Sequence, residues 1–333
     1  MKSLGRRCVS RTSERSVSVL RNLRGRSMGK ASGAKQGGDR RARIAAQRAA
    51  VQRTQRRNRL LLAGGAIVAV VAVVLALVLV QGGNSGSSGT AAGGPGPTGA
   101  SLAALTGKVT SVPATALDQV GSGTVTSTPT SITGAPLTSG GKPEMLYMGA
   151  EYCPYCAAER WSMIVALSRF GTFTGLATTR SAERNGAGTA EPFPLTATFT
   201  FANASYTSKY LTFTPVEEFT NIPDKSTGGY TSLMTPTAEQ RPLIQKYDAA
   251  NQGAIPFIDY GNKYMSVGAS YDPGLLSGRS WNDIAADLHN PSSPVAKGAL
   301  GAANYMTAAI CSLTGNQPAA VCTPSVRALQ AKL

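Results

Sequence analysis

Hydrophobic positions are spread unevenly along the 333 residues, and their spacing changes character several times. The first 59 residues show no usable apolar period. Residues 60–80 follow, 21 positions without a charged side chain. At 1.5 Å rise per residue such a helix spans roughly 30 Å, the thickness of a bilayer's hydrocarbon core. One transmembrane helix is predicted. A cleaved signal peptide would have a shorter apolar core and a small-x-small cleavage site, and none follows Val80. Residues 81–101 are almost wholly Gly, Ser, Thr, Ala and Pro, too poor in apolar groups to build a core, and predict a flexible tether with a span of about 25 Å. Residues 102–141 keep much of that composition but include β-prone pieces such as 108–112, and are expected to form an ordered lead-in.

From Lys142 to residue 333 the pattern becomes that of a folded domain. A strand is predicted over 145–149, then a helix over 154–170 that is largely buried, because its clearly polar members are only Glu159, Arg160, Ser162, Ser168 and Arg169. Strands are predicted over 174–179, 195–201 and 210–216, with an inserted β/loop segment at about 180–235. Its aromatic residues Tyr206, Tyr210, Phe213 and Phe219 serve either the core or a partner. A helix over 237–250 follows Pro236. Residues 256–260 and 264–267 predict a β-hairpin turned at Gly261-Asn262, and helices at about 280–289 and 294–312 close the chain. The order βαβ, extra strands, αββα predicts an α/β domain with a mixed sheet and helices on both faces.

Charge sharpens this division. The formal net charge is +16, and residues 1–59 hold 18 Lys and Arg against Glu14 and Asp39, so the tail carries all of it. The rest is neutral. The tail has no aromatic residue on which a base could stack, which argues against nucleic-acid binding. Arg53, Arg56, Arg57 and Arg59 abut the apolar segment, placing the N-terminus in the cytoplasm and everything beyond residue 81 outside it.

The chemistry concentrates in Cys153-Pro154-Tyr155-Cys156 at the predicted strand-to-helix junction. One helical turn brings the two sulfurs within disulfide reach, and free helix N–H groups favour a thiolate at the first. Cys153 is then the nucleophile and Cys156 the resolving thiol. Pro154 occupies the first turn, where a missing N–H costs nothing. The alternatives are half of a zinc site, for which this chain offers one histidine and no second CxxC, and a structural bridge confined to the motif. Cys311 and Cys322, with Gly315 and Pro318 between them, are expected to form a stabilising disulfide. The one histidine, His289, stands before Asn-Pro and is expected to end a helix rather than act as a base. No metal or organic cofactor is implied.

The run Ala150-Glu-Tyr-Cys-Pro-Tyr-Cys156 after a strand resembles the thioredoxin superfamily, and Ile255-Pro256 before the later hairpin looks like that family's cis-proline. The resemblance implies a thioredoxin-like mixed sheet flanked by helices, with a helical C-terminus. It also implies that Pro256 flanks the dithiol and that the Ile255 backbone pairs with an extended substrate. Thioredoxins keep a buried acid six residues before the first cysteine. Here that position is Tyr147, which leaves the proton acceptor for Cys156 unassigned, and the nearby Glu151 is expected to be exposed. More closely, the stretch around GAEYCPYCAAERW is similar to membrane-tethered actinobacterial and archaeal proteins classed as domain-of-unknown-function family 929, over roughly residues 105–320.

The expected function is a membrane-anchored, extracytoplasmic thiol–disulfide oxidoreductase. Its partners would be exported client proteins and a membrane redox partner. The Pro154-Tyr155 dipeptide and the compartment favour oxidation over reduction or isomerisation. The alternative is a tethered binding or chaperone-like module on the same scaffold, without turnover.

Overall fold

A computed structural model describes residues 94–333. The basic tail, the predicted membrane helix and most of the tether lie outside the described residues. Among the described residues no helix is long and apolar enough to cross a membrane.

The folded body begins earlier than the composition suggests. Helix α1 (Gly99–Thr110) and helix α2 (Ala114–Val120) precede the first strands. Leu105 and Val109, four residues apart on one face of α1, are both buried. That pairing makes 108–110 helical, against the β-prone expectation for 108–112. The segment before α1 is also tied down, since Thr178 Oγ1 donates to the Pro97 carbonyl at 3.0 Å and Arg180 Nε to that of Gly94 at 3.2 Å. The expected tether over 81–101 therefore ends by residue 94, and the folded body does not wait for Lys142.

The strands β1 (Thr130–Ser131) and β2 (Thr138–Ser139) lead into β3 (Lys142–Gly149), and helix α3 (Pro154–Ser168) follows directly. Next come β4 (Gly171–Thr174), β5 (Ala177–Arg180), β6 (Ala197–Thr200), β7 (Ser205–Ser208) and β8 (Thr212–Glu217). The hairpin β9 (Phe219–Asp224) and β10 (Gly229–Ser232) precedes helix α4 (Gln240–Tyr247). The chain then forms β11 (Phe257–Tyr260), β12 (Tyr264–Val267), α5 (Trp281–Asp287), α6 (Pro294–Leu313) and α7 (Pro324–Gln330).

A mixed sheet organises these elements. β3 lies between β11, antiparallel with Phe257 opposite Met148, and β8, parallel with Leu146 opposite Thr214. β12 pairs with the far side of β11, and β1 with β12, while β2 forms a short hairpin with the start of β3. The segment 180–235 is thus not wholly an insertion, because β8 within it is a strand of the central sheet. Among the described residues β8 pairs only with β3, so its Pro215 sits on an edge strand, where a missing N–H disturbs no ladder. The expected strand over 174–179 is two strands. Gly175 at φ +72° turns the chain between β4, which pairs with β7, and β5, which pairs with β6.

Successive side chains of β3 point to opposite faces. Met145 and Tyr147 join the larger apolar cluster with α3 and α6, whereas Leu146 and Met148 join a smaller one with Phe257, Ile244 of α4 and both cysteines of the CxxC. Phe213 is buried in the larger cluster, while Tyr206 and Tyr210 are half-buried against it and Phe219 against the smaller, so all four contribute to packing on the core.

Helix α6 is built from small residues and packs against both α3 and α2. Gly301 permits this, since a Cβ there would lie 2.7 Å from the Ser122 carbonyl oxygen. Asn304 Nδ2 donates to the carbonyls of Leu117 and Gly121 at 2.8 Å each, satisfying the C-terminal end of α2. Cys311 near the end of α6 is disulfide-bonded to Cys322 just before α7. A bridge closing a loop of this size adds about 3 kcal/mol by restricting the unfolded chain. Cys311→Ser combined with Cys322→Ser should lower the unfolding free energy by about that amount in a urea titration. A change under about 0.5 kcal/mol would show that the bridge constrains nothing.

Candidate functional site

The site forms where β3 gives way to α3. Cys153 is the N-cap residue of α3, with extended backbone at φ −75° and ψ 120°, and its sulfur accepts the N–H of Cys156 at 3.4 Å. Sulfur here takes the part that Ser or Asp oxygen plays in other helix caps. Pro154 is the first helical residue, and the Ala157 N–H closes the turn on the Cys153 carbonyl at 2.9 Å. The loop is fixed from outside as well. Glu151 N–H donates to Phe219 of β9, and Ala182 N–H donates to the Tyr152 carbonyl, each at 2.9 Å. The Tyr152 ring stacks on Tyr230 of β10 at 4.0 Å between centroids, and Tyr155, buried, meets the edge of Phe193 at 6.0 Å. Glu151, expected to be exposed, is half-buried.

Across from the helix end, the Ile255–Pro256 peptide bond is cis. The Cys153 sulfur lies 3.8 Å from the Ile255 carbonyl oxygen. The structure therefore brings together Cys153, Pro154, Cys156, Ile255 and Pro256. Cys311 and Cys322 are bonded to each other elsewhere. His289 is exposed beyond the end of α5, its Nε2 2.9 Å from the Lys108 carbonyl. Among the described residues no three His, Cys, Asp or Glu side chains gather to hold a metal.

Cys156 is a free, buried thiol. The geometry is therefore that of the pair without a bridge between its members. Burial pushes the Cys156 thiol up to about 12, opposed chiefly by the Arg160 guanidinium.

Arg160, one turn beyond Cys156 on α3, is fully buried. Its Nε donates to Glu217 Oε1 at 2.8 Å, and one terminal nitrogen donates to Glu217 Oε2 at 2.6 Å and to the Ala150 carbonyl at 2.7 Å. Glu217, at the end of β8, is also fully buried and accepts the Phe201 N–H at 3.3 Å. Sequence reasoning noted Arg160 only as a polar member of an apolar helix and did not find Glu217, 57 residues away. The available signal was that a charge on a buried helix needs a partner.

The model of a family described as a domain of unknown function (DUF929) matches residues 128–312, more than half of the chain. The chain belongs to this family. The matched DUF929 region contains the CxxC, the Arg160–Glu217 pair and the cis peptide bond, and it ends at α6, before Cys322. No curated protein and no solved structure matches the chain.

On the same DUF929 helix, Glu159 is buried, accepting the Ser270 N–H at 2.9 Å and the Ser270 hydroxyl at 2.5 Å. Burial raises its carboxyl to about 7 in spite of these bonds. A folded pKa above the unfolded value means that the native state binds the extra proton. The stability this group contributes is full below about pH 4.5 and is lost as pH rises through 7. The loss is roughly 3 kcal/mol. Glu159→Gln should therefore flatten the decline in stability between pH 5 and pH 8, as read by urea titration at both values. A decline as steep as in the parent would refute the assignment.

Proposed function

We propose that this DUF929 protein is a membrane-anchored, extracytoplasmic thiol–disulfide oxidoreductase that introduces or exchanges disulfides in exported proteins through Cys153 and Cys156. The observation that carries the proposal is the seat of the Cys153 sulfur. It caps α3, receives the Cys156 N–H and lies beside the carbonyl that precedes a cis-proline. Helix N-termini favour a thiolate, and the residue three positions on is the one placed to resolve a mixed disulfide.

The strand order β12-β11-β3-β8, with α3 crossing between the parallel strands, supports a thioredoxin-like architecture. So does the placement of the cis-proline just before β11. Residues 60–80 would anchor the domain, and the arginines before them would hold the tail in the cytoplasm.

Starting from a Cys153–Cys156 bridge, a client thiolate attacks Cys153 Sγ. The bridge breaks, its electron pair leaves on Cys156, and the client is joined to Cys153. A second client thiolate then attacks the client's bonded sulfur and releases Cys153 as a thiolate. The client loses two electrons and the pair gains them, to be reoxidised by a membrane partner bearing a disulfide. The backbone of Ile255 would align the client's extended segment.

With a reduced, unfolded dithiol protein as client, Cys153→Ser should abolish disulfide transfer, and Cys156→Ser should accumulate mixed disulfides on non-reducing gels. Full activity in Cys153→Ser would overturn the mechanism. A parent protein that transfers no disulfide, together with a Cys153→Ser, Cys156→Ser double variant that still captures client, would favour a tethered binding module.

A further inference from the structure

Beside the CxxC turn the surface opens into a cleft of about 520 Å³, within the size range of ligand sites. Strand β9 contributes one wall through Asn221, Ile222 and Pro223, and the chain from Thr179 to Arg184 contributes another. Both walls are hydrogen-bonded to the residues that lead into Cys153. The Glu151 N–H donates to the Phe219 carbonyl on β9, and the Ala182 N–H donates to the Tyr152 carbonyl. The cleft therefore lies next to the thiol pair.

Arg180 lines this cleft and is held from several sides. Its guanidinium carbon stands 4.1 Å from the centroid of the Trp281 ring, and that indole is fixed by donating to the Thr198 carbonyl at 2.6 Å. Its Nε donates to the Gly94 carbonyl at 3.2 Å and one terminal nitrogen to the Leu195 carbonyl at 2.9 Å. Gly96 lets the Gly94 segment lie close to the indole, since a Cβ there would come 3.0 Å from Trp281 Cζ2. Leu195 presents its carbonyl from left-handed backbone at φ +57°, which residues with a side chain rarely adopt. The other terminal nitrogen of Arg180 has no hydrogen-bond partner, although the residue is only 8 % exposed. Among the described residues no carboxylate forms an ion pair with it. A carboxylate entering the cleft would supply both the missing acceptor and the missing countercharge. The lining as a whole favours such a ligand, because Arg180 and Arg184 stand against one carboxylate, Glu183. Ile222, 59 % exposed, adds a large apolar side chain in the open.

We infer that this cleft binds the client beside its cysteine, selecting an extended segment in which a large apolar residue and an acidic one stand two positions apart. The inference rests on the redox reading for the nature of the client, an unfolded exported chain bearing a thiol. Alternate side chains of an extended chain share a face, so the apolar one packs on Ile222 while the carboxylate meets Arg180 and Arg184. Such a chain advances about 3.3 Å per residue, and residues a few positions from a cysteine at Cys153 pass over the cleft. Arg180 and Ile222 thus govern which client cysteines are presented and take no part in electron transfer.

The test reads binding without redox chemistry. Fluorescein-labelled peptides carry serine in place of the client cysteine and an Ile-x-Glu, Ile-x-Gln or Ile-x-Lys triplet placed two to five positions away. Their Kd values are measured by anisotropy with the full chain in detergent micelles. The best-placed Glu peptide should bind about tenfold tighter than its Gln counterpart, the scale of a hydrogen bond to a charged group, and tighter still than the Lys peptide.

Arg180→Gln should erase that preference. Because Arg180 also ties the Gly94 and Leu195 segments together, Ile222→Asp provides a second variant at an exposed position. It sets a negative charge on the cleft wall and should weaken the Glu peptide more than the Gln peptide. Equal affinity for all three peptides, or a preference that survives both variants, would overturn the inference. Competition by N-acetylglutamate amide at the peptide's own affinity would mark a site for small carboxylates and overturn the client assignment. A parent protein that shows the predicted preference yet transfers no disulfide would leave the cleft standing and overturn the redox reading instead.

Discussion

The buried pair between Arg160 and Glu217 sets the geometry on which the rest of the site depends. Two fully buried charges in a bidentate contact cost several kcal/mol each to desolvate, and their mutual attraction and further hydrogen bonds offset this cost, although one terminal nitrogen of Arg160 is buried without a hydrogen-bond partner. Here the guanidinium also holds the Ala150 carbonyl, and the carboxylate also accepts the Phe201 N–H. The pair thereby locks the crossover helix to the end of the edge strand β8 and pins the turn that leads into Cys153. Removing one partner leaves an uncompensated charge, a loss of about 3–5 kcal/mol. Among the described residues edge strand β8 is paired on one side only, so this contact at its C-terminal end has little redundancy.

That constraint explains why the cysteine pair stands at a fixed distance from the cis-proline loop. β3 carries the CxxC at its end, and β11, its antiparallel neighbour, begins just after Pro256. The two junctions meet because Phe257 pairs with Met148, five residues before Cys153. Sheet register and helix start together place one sulfur at a helix N-terminus and opposite an extended backbone. The proposed function rests on that juxtaposition more than on the motif alone, since a CxxC also serves metals and structural bridges.

Much of this was legible in the sequence, for physical reasons that differ by element. The CxxC helix and the β11–β12 hairpin announce themselves, one by a long apolar run after Pro154, the other by alternating apolar residues around Gly261-Asn262, both at positive φ. Helix α1 did not, because Ala, Gly and Thr carry little periodic signal and its burial rests on Leu105 and Val109 alone. The split of 174–179 into two strands turns on Gly175, a backbone event that an apolar pattern does not record. In the site, Tyr147 was noticed as an oddity at the place of a buried acid, and only the fold shows that the Arg160 guanidinium lies 5.9 Å from its ring. Glu217 is distant in sequence, and only the parallel register of β8 on β3 brings it to the helix.

The central claim is that Cys153 and Cys156 form a reversible redox couple, and its most direct test is their equilibrium reduction potential in the full chain. Differential alkylation and mass spectrometry after equilibration in graded thiol–disulfide buffers would read that pair apart from Cys311 and Cys322. The account predicts a reversible two-electron couple between about −120 and −270 mV, toward the upper end for an enzyme that donates disulfides. A potential below about −300 mV, with thiols that resist alkylation after mild reduction, would contradict it and mark the pair as a structural bridge.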